Sequence, residues 1–279
     1  MTSKRVALVL GSGGLKQLAA LPVFDYLDRE GYQIVGLVGT SGGALVAALH
    51  TLGYPANIIQ EKARRLWRRS LFRRIRVRAL LGLLDLPGGA WNRGAGLIDS
   101  APIRAALLEA VGDIRMEDLP VPLFCMATDL MTGEPTVLDK GRLVDMLYAS
   151  IAQPPLLPAA RIGDRLFFDG GYTDSIAVER AFAFEPDVII SLTTEERPRG
   201  KMDNLGDTYA RLACQVNTEL ERSILANALP KFPGELITLN NLFPRRIPFW
   251  ETDAISDILK VGEATVEILQ KRLAALEIA

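Results

Sequence analysis

The chain has 279 residues, 49% of them hydrophobic and 23% charged, with a formal net charge of −1. That length and composition suit a globular α/β chain able to bury a sizeable core, and the near-zero charge gives no bulk attraction to nucleic acid or to a membrane surface. Cys125 and Cys214 stand alone, outside any Cys-x-x-Cys or Cys/His spacing, which argues against a disulfide framework and a structural zinc site.

Residues 6–10 form a continuous apolar run of strand length, suited to burial on both faces of a sheet. Gly11-Ser12-Gly13-Gly14 interrupts it, with no cleavage pattern of a signal peptide, and no stretch approaches the ~18 apolar residues of a spanning helix. A cytoplasmic protein is the expectation. Helical spacing follows from Leu18 to Leu27, then a strand over 34–38 and an apolar helix over 44–52 closed by Gly53. This βαβα order builds a parallel sheet with helices on both faces. Residues 56–86 break the pattern, and a glycine-rich loop runs to Gly96. Helices are expected over 101–110, 143–150 and 178–184, strands over 123–127, 135–138 and 188–192, and a hairpin-like segment over 161–168. A polar loop over 195–203, a long amphipathic helix over 205–228, a late strand over 236–239 and a terminal helix over 255–276 complete the chain. One domain is the simplest organisation, with a core over 5–192, a basic amphipathic insertion over about 56–96 and a helical extension over about 203–279.

Gly39-Thr40-Ser41-Gly42-Gly43 matches Gly-x-Ser-x-Gly between a predicted strand and a predicted helix. A sharp strand-to-helix turn projects the serine oxygen outward as a nucleophile, and flanking glycines such as Gly39 and Gly43 let backbones pack closely. Ser41 also reads as a plain helix N-cap. A serine nucleophile needs a base, usually histidine. The chain's one histidine, His50, lies nine residues along the same predicted helix, about half a turn round and roughly 13 Å away. A Ser-His-Asp triad within the chain is excluded on that ground, and His50 is expected to be structural.

Asp169-Gly170-Gly171 is the leading carboxylate candidate for the base, at the end of Leu166-Phe167-Phe168. Partial desolvation would have to raise its basicity. The same motif also reads as a tight Asp-Gly turn. Gly13, Gly14, Leu15 and Lys16 open the first helix and could aim backbone N–H groups at an oxyanion. The competing phosphate-cradle reading fits neither Gly-x-Gly-x-x-Gly nor the Walker A pattern. Between Lys62 and Arg78, nine basic residues are interleaved with Trp67, Leu71 and Phe72. Such a run could meet anionic lipid headgroups, or could simply be a solvated face. It is too short, on a chain that is not basic, to suggest nucleic acid.

Together the three motifs resemble the patatin-like phospholipase family. Ser12-Gly13-Gly14-Leu15-Lys16 is similar to its Gly-Gly-Gly-x-Arg/Lys loop, Gly39-Thr40-Ser41-Gly42-Gly43 to its nucleophile elbow, and Asp169-Gly170-Gly171 to its Asp-Gly-Gly/Ala motif. Residues 127–133 and 149–155 also resemble stretches of bacterial members. The resemblance implies a three-layer α/β/α sandwich with a mainly parallel central sheet, and hydrolysis of a lipid or other acyl ester without metal or cofactor. It also implies a Ser41–Asp169 dyad, with N–H groups around Gly13 and Gly14 holding the oxyanion. Gln17 stands where the family usually has glycine, and Thr173-Asp174-Ser175-Ile176 replaces its usual Asn-x-Pro. A silent lipid-binding or regulatory protein on the same fold, and an acyltransferase, are the competing functions.

Overall fold

A computed structural model of the chain describes residues 4–90, 92, 94–197 and 205–278. Its sheet is built around β1 (Arg5–Leu10), flanked on one edge by β2 (Gln33–Thr40) and on the other by β7 (Val188–Glu196), both parallel to it. The apolar run of β1 is sealed from both sides because successive side chains alternate between faces. Val6, Leu8 and Leu10 join one buried cluster, and Ala7 and Val9 join another. The first cluster gathers helices α1 (Leu21–Arg29), α2 (Gly42–Thr51), α3 (Ala56–Leu66), α5 (Ala101–Val111), α6 (Leu143–Ile151) and α8 (Ile255–Ile278). The second gathers the 3₁₀ helix Val178–Phe184 and the end of α7 (Leu205–Ala228). The result is the three-layer α/β/α arrangement, with most of the helical mass on one face.

The remaining strands are β3 (Leu123–Asp129), β4 (Pro135–Leu138), β5 (Ala160–Ile162), β6 (Arg165–Asp169) and β8 (Glu235–Phe243). The hydrogen-bonded order is β5-β6-β3-β2-β1-β7-β8, with β4 also on β3. β3 and β8 continue the parallel run, whereas β4, β5 and β6 are antiparallel to their neighbours.

Four elements depart from the sequence expectation. The helix expected from Leu18 begins as a 3₁₀ turn over Gly14–Ala20 before α1, and Val178–Phe184 is also 3₁₀. β8 extends well beyond 236–239, and its inward positions include the polar Asn241, whose Oδ1 accepts the Thr265 hydroxyl at 2.7 Å. Glu195 and Glu196, expected in a loop, extend β7, while 198–203 lie outside the described residues. The segment from residue 56 resolves into α3, a 3₁₀ turn over Arg69–Phe72 and α4 (Val77–Leu83). Ile59, Ala63, Leu66, Trp67 and Leu71 are buried, so its first half is part of the core.

Candidate active site

β3 acts as the ruler that brings Ser41 and Asp169 together. At Cys125 and Met126 it pairs with β4 on one edge, and at Met126 with Thr40 of β2 on the other. At Ala127 and Thr128 it pairs with both β4 and β6, so β6 occupies the edge that β2 has just left. Thr40 is opposite Met126 and Asp169 opposite Ala127, one residue further along the same strand. The end of β2 and the end of β6 therefore meet head to head.

Ser41 closes that end with φ 56° and ψ −122°, a left-handed conformation that a side-chain-bearing residue adopts only under constraint. Its side chain makes no capping hydrogen bond to α2. Its backbone N–H donates to the Ser150 hydroxyl oxygen at 2.9 Å, and Ser150 is fully buried on α6. The turn is possible only without side chains at its flanks. A Cβ on Gly43 would drive into the Leu10 and Gly11 carbonyls, and one on Gly42 into the Gly14 backbone. The second contact also locates the glycine loop against the serine turn.

Asp169 is 7% exposed. Its amide donates to the Ala152 carbonyl at 3.1 Å, and its own carbonyl accepts the Thr128 hydroxyl at 2.9 Å. Oδ1 accepts the Gly171 amide at 2.8 Å, so the turn reading and the carboxylate reading of Asp-Gly-Gly describe one geometry. Burial pushes the carboxyl up to about 6, against opposing hydrogen bonds from the Ser41 hydroxyl and the Gly171 amide. His50 sits at the other end of α2, stacked on Phe24 with ring centroids 3.7 Å apart, and burial holds its pKa below the usual imidazole value.

In the glycine loop, Leu15 is buried in the core, and the Lys16 amide donates to the Gly13 carbonyl at 3.2 Å. Lys16 therefore has no free N–H to offer an oxyanion. Among the described residues no backbone acceptor takes the N–H of Gly13 or Gly14. The Lys16 ammonium pairs with Glu196 at 2.7 Å, which anchors the loop to β7. Gln17 is fully buried and donates Nε2 to the Ser12 carbonyl at 3.2 Å. The unusual segment after Asp169 contributes through its backbone: the Asp174 carbonyl accepts the Thr40 hydroxyl, and the Ser175 carbonyl accepts the Ser12 amide. Among the described residues no cluster of three His, Cys, Asp or Glu side chains could hold a metal ion.

The basic run divides in two. Lys62 donates to the Ala110 carbonyl and lies over the Tyr54 ring, and Arg65 bridges Glu61 and Glu109. Among the described residues, Arg73, Arg76 and Arg78 pair with no carboxylate, and Arg74 only approaches Asp99 at 3.9 Å. Beside them Ile75 and Val77 are 60% and 64% exposed, and Leu80, Leu83, Leu84 and Leu86 are also exposed. Arg64, Arg68 and Arg69 are likewise without a carboxylate partner among the described residues, but only over 73–86 do such cations stand beside exposed aliphatic side chains. No described helix is long and apolar enough to cross a membrane.

A mainly parallel α/β sheet presenting a serine on a left-handed strand-to-helix turn, beside a buried carboxylate, is the general class of the site. A family model for patatin-like phospholipases matches residues 8–182, and the chain belongs to that family. An uncharacterized NTE family protein of Mycobacterium tuberculosis is 34% identical over 192 residues, 69% of this chain and 49% of that protein. The chain thus spans about half the length of this relative. Lysophospholipase NTE1 of Scheffersomyces stipitis is 25% identical over 212 residues, 75% of this chain and 13% of that protein. Among solved structures, VipD from Legionella pneumophila aligns over 97% of this chain and 67% of its own, with TM-score 0.49 and 13% identity.

Proposed function

We propose that the protein hydrolyses carboxylic esters of lipids, with Ser41 as nucleophile and Asp169 as the proton acceptor and donor. The observation that carries this reading is the register on β3, which brings the strained Ser41 turn head to head with the buried Asp169 carboxylate. Ser41 Oγ attacks the acyl carbonyl carbon while its proton passes to Asp169. The carbonyl oxygen becomes an oxyanion, held by the N–H groups of Gly13 and Gly14. Collapse breaks the ester C–O bond, and the leaving alkoxide takes the proton from Asp169. Water then attacks the acyl-serine, giving its proton to Asp169, and breakdown releases the carboxylic acid and returns the proton to Ser41. No step calls for a cofactor.

The name of the yeast relative favours a lysophospholipid or a related acyl lipid as substrate. A substrate of that kind lies at an interface. The unpaired arginines and exposed aliphatic side chains of 73–86 support peripheral contact with an anionic bilayer by a protein otherwise in the cytoplasm. The test of the chemistry is hydrolysis of a p-nitrophenyl acyl ester series and of lysophosphatidylcholine by the wild type and by Ser41→Ala. The wild type is expected to turn both over and the variant to fall to background with its thermal midpoint kept. Equal activity in the two proteins would refute the reading.

A further inference from the structure

We propose that Gln17 and Thr194 are positioning residues that lock the Ser12–Gly13 peptide with its N–H turned toward the Ser41 turn. The inference rests on the reading of Gly13 N–H as an oxyanion donor. A trans peptide is planar, so its C=O and N–H point in opposite directions. Fixing one fixes the other.

The Ser12 carbonyl accepts two hydrogen bonds, from Gln17 Nε2 at 3.2 Å and from the Thr194 hydroxyl at 3.2 Å. They use both lone pairs of the oxygen and approach from two separate elements, the 3₁₀ turn Gly14–Ala20 and the sheet strand β7. The preceding peptide is also pinned, since the Ser12 amide donates to the Ser175 carbonyl at 3.0 Å. Thr194 and Gln17 crowd one side of Gly13 closely, with a Cβ there falling 2.6 Å from Thr194 Oγ1 and 3.2 Å from Gln17 Nε2. Planarity sends the Gly13 N–H to the opposite edge, and the next residue, Gly14, packs its backbone on Gly42 of the serine turn.

A peptide flip at this point would do two kinds of harm. It would aim a carbonyl lone pair at the position where negative charge develops, and it would leave the buried Gln17 amide and the half-buried Thr194 hydroxyl without their acceptor. Gln17 is otherwise a poor filler of its site, because its Oε1 is buried with no donor among the described residues. A glutamine held there for its Nε2 accounts for a polar side chain in place of the small residue the motif usually carries. Its amide does from the helix side what Thr194 does from the sheet.

The experiment compares Gln17→Met, Thr194→Val, Thr194→Ser and the Gln17→Met/Thr194→Val double variant with the wild type. It measures kcat and KM on a p-nitrophenyl ester, inhibition by a trifluoromethyl ketone of matched chain length, and thermal midpoints. The ketone forms a tetrahedral adduct bearing an oxyanion, so it reports the hole and not ground-state binding. Each single loss of a donor is expected to lower kcat about tenfold and the double variant about 10²- to 10³-fold, with KM within about twofold. Ketone inhibition should weaken in parallel. Thr194→Ser, which keeps the hydroxyl, should return to within about twofold of wild type.

Unchanged kcat and ketone inhibition in folded variants would overturn the lock, as would a Thr194→Ser variant no better than Thr194→Val. Should Gln17→Met fail to fold, the Val/Ser pair at Thr194 decides, since valine keeps the shape of threonine on the strand. Ser41-dependent hydrolysis by the wild type beside indifferent variants removes the lock alone. A wild type without Ser41-dependent hydrolysis removes the site reading and the lock with it.

Discussion

Asp169 carries the pH dependence of the proposed chemistry. A carboxyl titrating at about 6 is about nine-tenths ionised at pH 7, and so can accept the Ser41 proton while being a far stronger base than a solvated aspartate. The rate is therefore expected to rise through pH 6 and to fall about tenfold per unit below it, read from kcat/KM against pH. Asp169→Asn should lose about 10²- to 10⁴-fold in kcat at every pH and abolish that limb. A profile flat from pH 5 to 8 would contradict the assignment. At this scale the sequence was legible where a motif dictates backbone shape, as at Ser41 and Asp169, and illegible where a partner is chosen by tertiary packing. Ser150 is one polar residue in an apolar helix, and nothing local announces that its hydroxyl receives the Ser41 amide. Gln17 looked like a departure from a glycine motif, and only the Ser12 carbonyl beside it gives it a use.

Among the elements, the segment from residue 56 separates two things that its sequence blends. Charge and apolar residues alternate throughout, so composition gives no boundary. Packing does: α3 buries Ile59, Ala63 and Leu66, and two of its three cations, Lys62 and Arg65, are occupied by Ala110, Glu61 and Glu109. Only from Arg73 onward do unpaired arginines stand beside exposed aliphatic side chains. Contact with an anionic bilayer should therefore depend on 73–86. The wild type is expected to sediment with phosphatidylserine-containing vesicles and much less with phosphatidylcholine alone, binding falling with salt. Arg76→Glu with Arg78→Glu should cost at least about tenfold in partitioning, given about 1 kcal/mol per cation and a reversed charge, with soluble-ester hydrolysis unchanged. Equal loss from changing Arg65, or none from Arg76 and Arg78, would refute this face. The strands were easier to read than the 3₁₀ turns, because alternation or an apolar run survives in sequence while a tightened helical turn leaves no distinct spacing.

For the molecule as a whole, the parallel centre of the sheet was legible from its apolar runs, and the meeting of β2 and β6 on one edge of β3 was not. That arrangement depends on two long-range pairings, Thr40 with Met126 and Ala127 with Asp169, which no local pattern encodes. It also buries carboxyls. Asp169 and Asp174 are pushed up to about 6 and Glu221 to about 7, each chiefly by burial. Their unfolded values lie near 4, so between about pH 4 and 7 the native state holds protons that the unfolded chain has released. Stability from these groups is present at the acid end of that window and falls as pH rises through the native values. His50 acts in the opposite sense, since its depressed pKa removes stability as pH falls below 6.5. With three carboxyls against one imidazole, the thermal midpoint is expected to be higher at pH 5.5 than at pH 8, and Asp169→Asn should raise the midpoint at pH 8. A midpoint rising steadily from pH 5.5 to 8 would contradict the burial of these groups.

The central claim is that Ser41 is the nucleophile and that Asp169 activates it. The most direct measurement is the rate and site of labelling by a fluorophosphonate, mapped by peptide mass spectrometry in the wild type, Ser41→Ala and Asp169→Asn. One adduct on Ser41 is expected in the wild type, none in Ser41→Ala, and labelling slowed at least about 10²-fold in folded Asp169→Asn. An adduct on another residue, or labelling of Asp169→Asn at the wild-type rate, would contradict it.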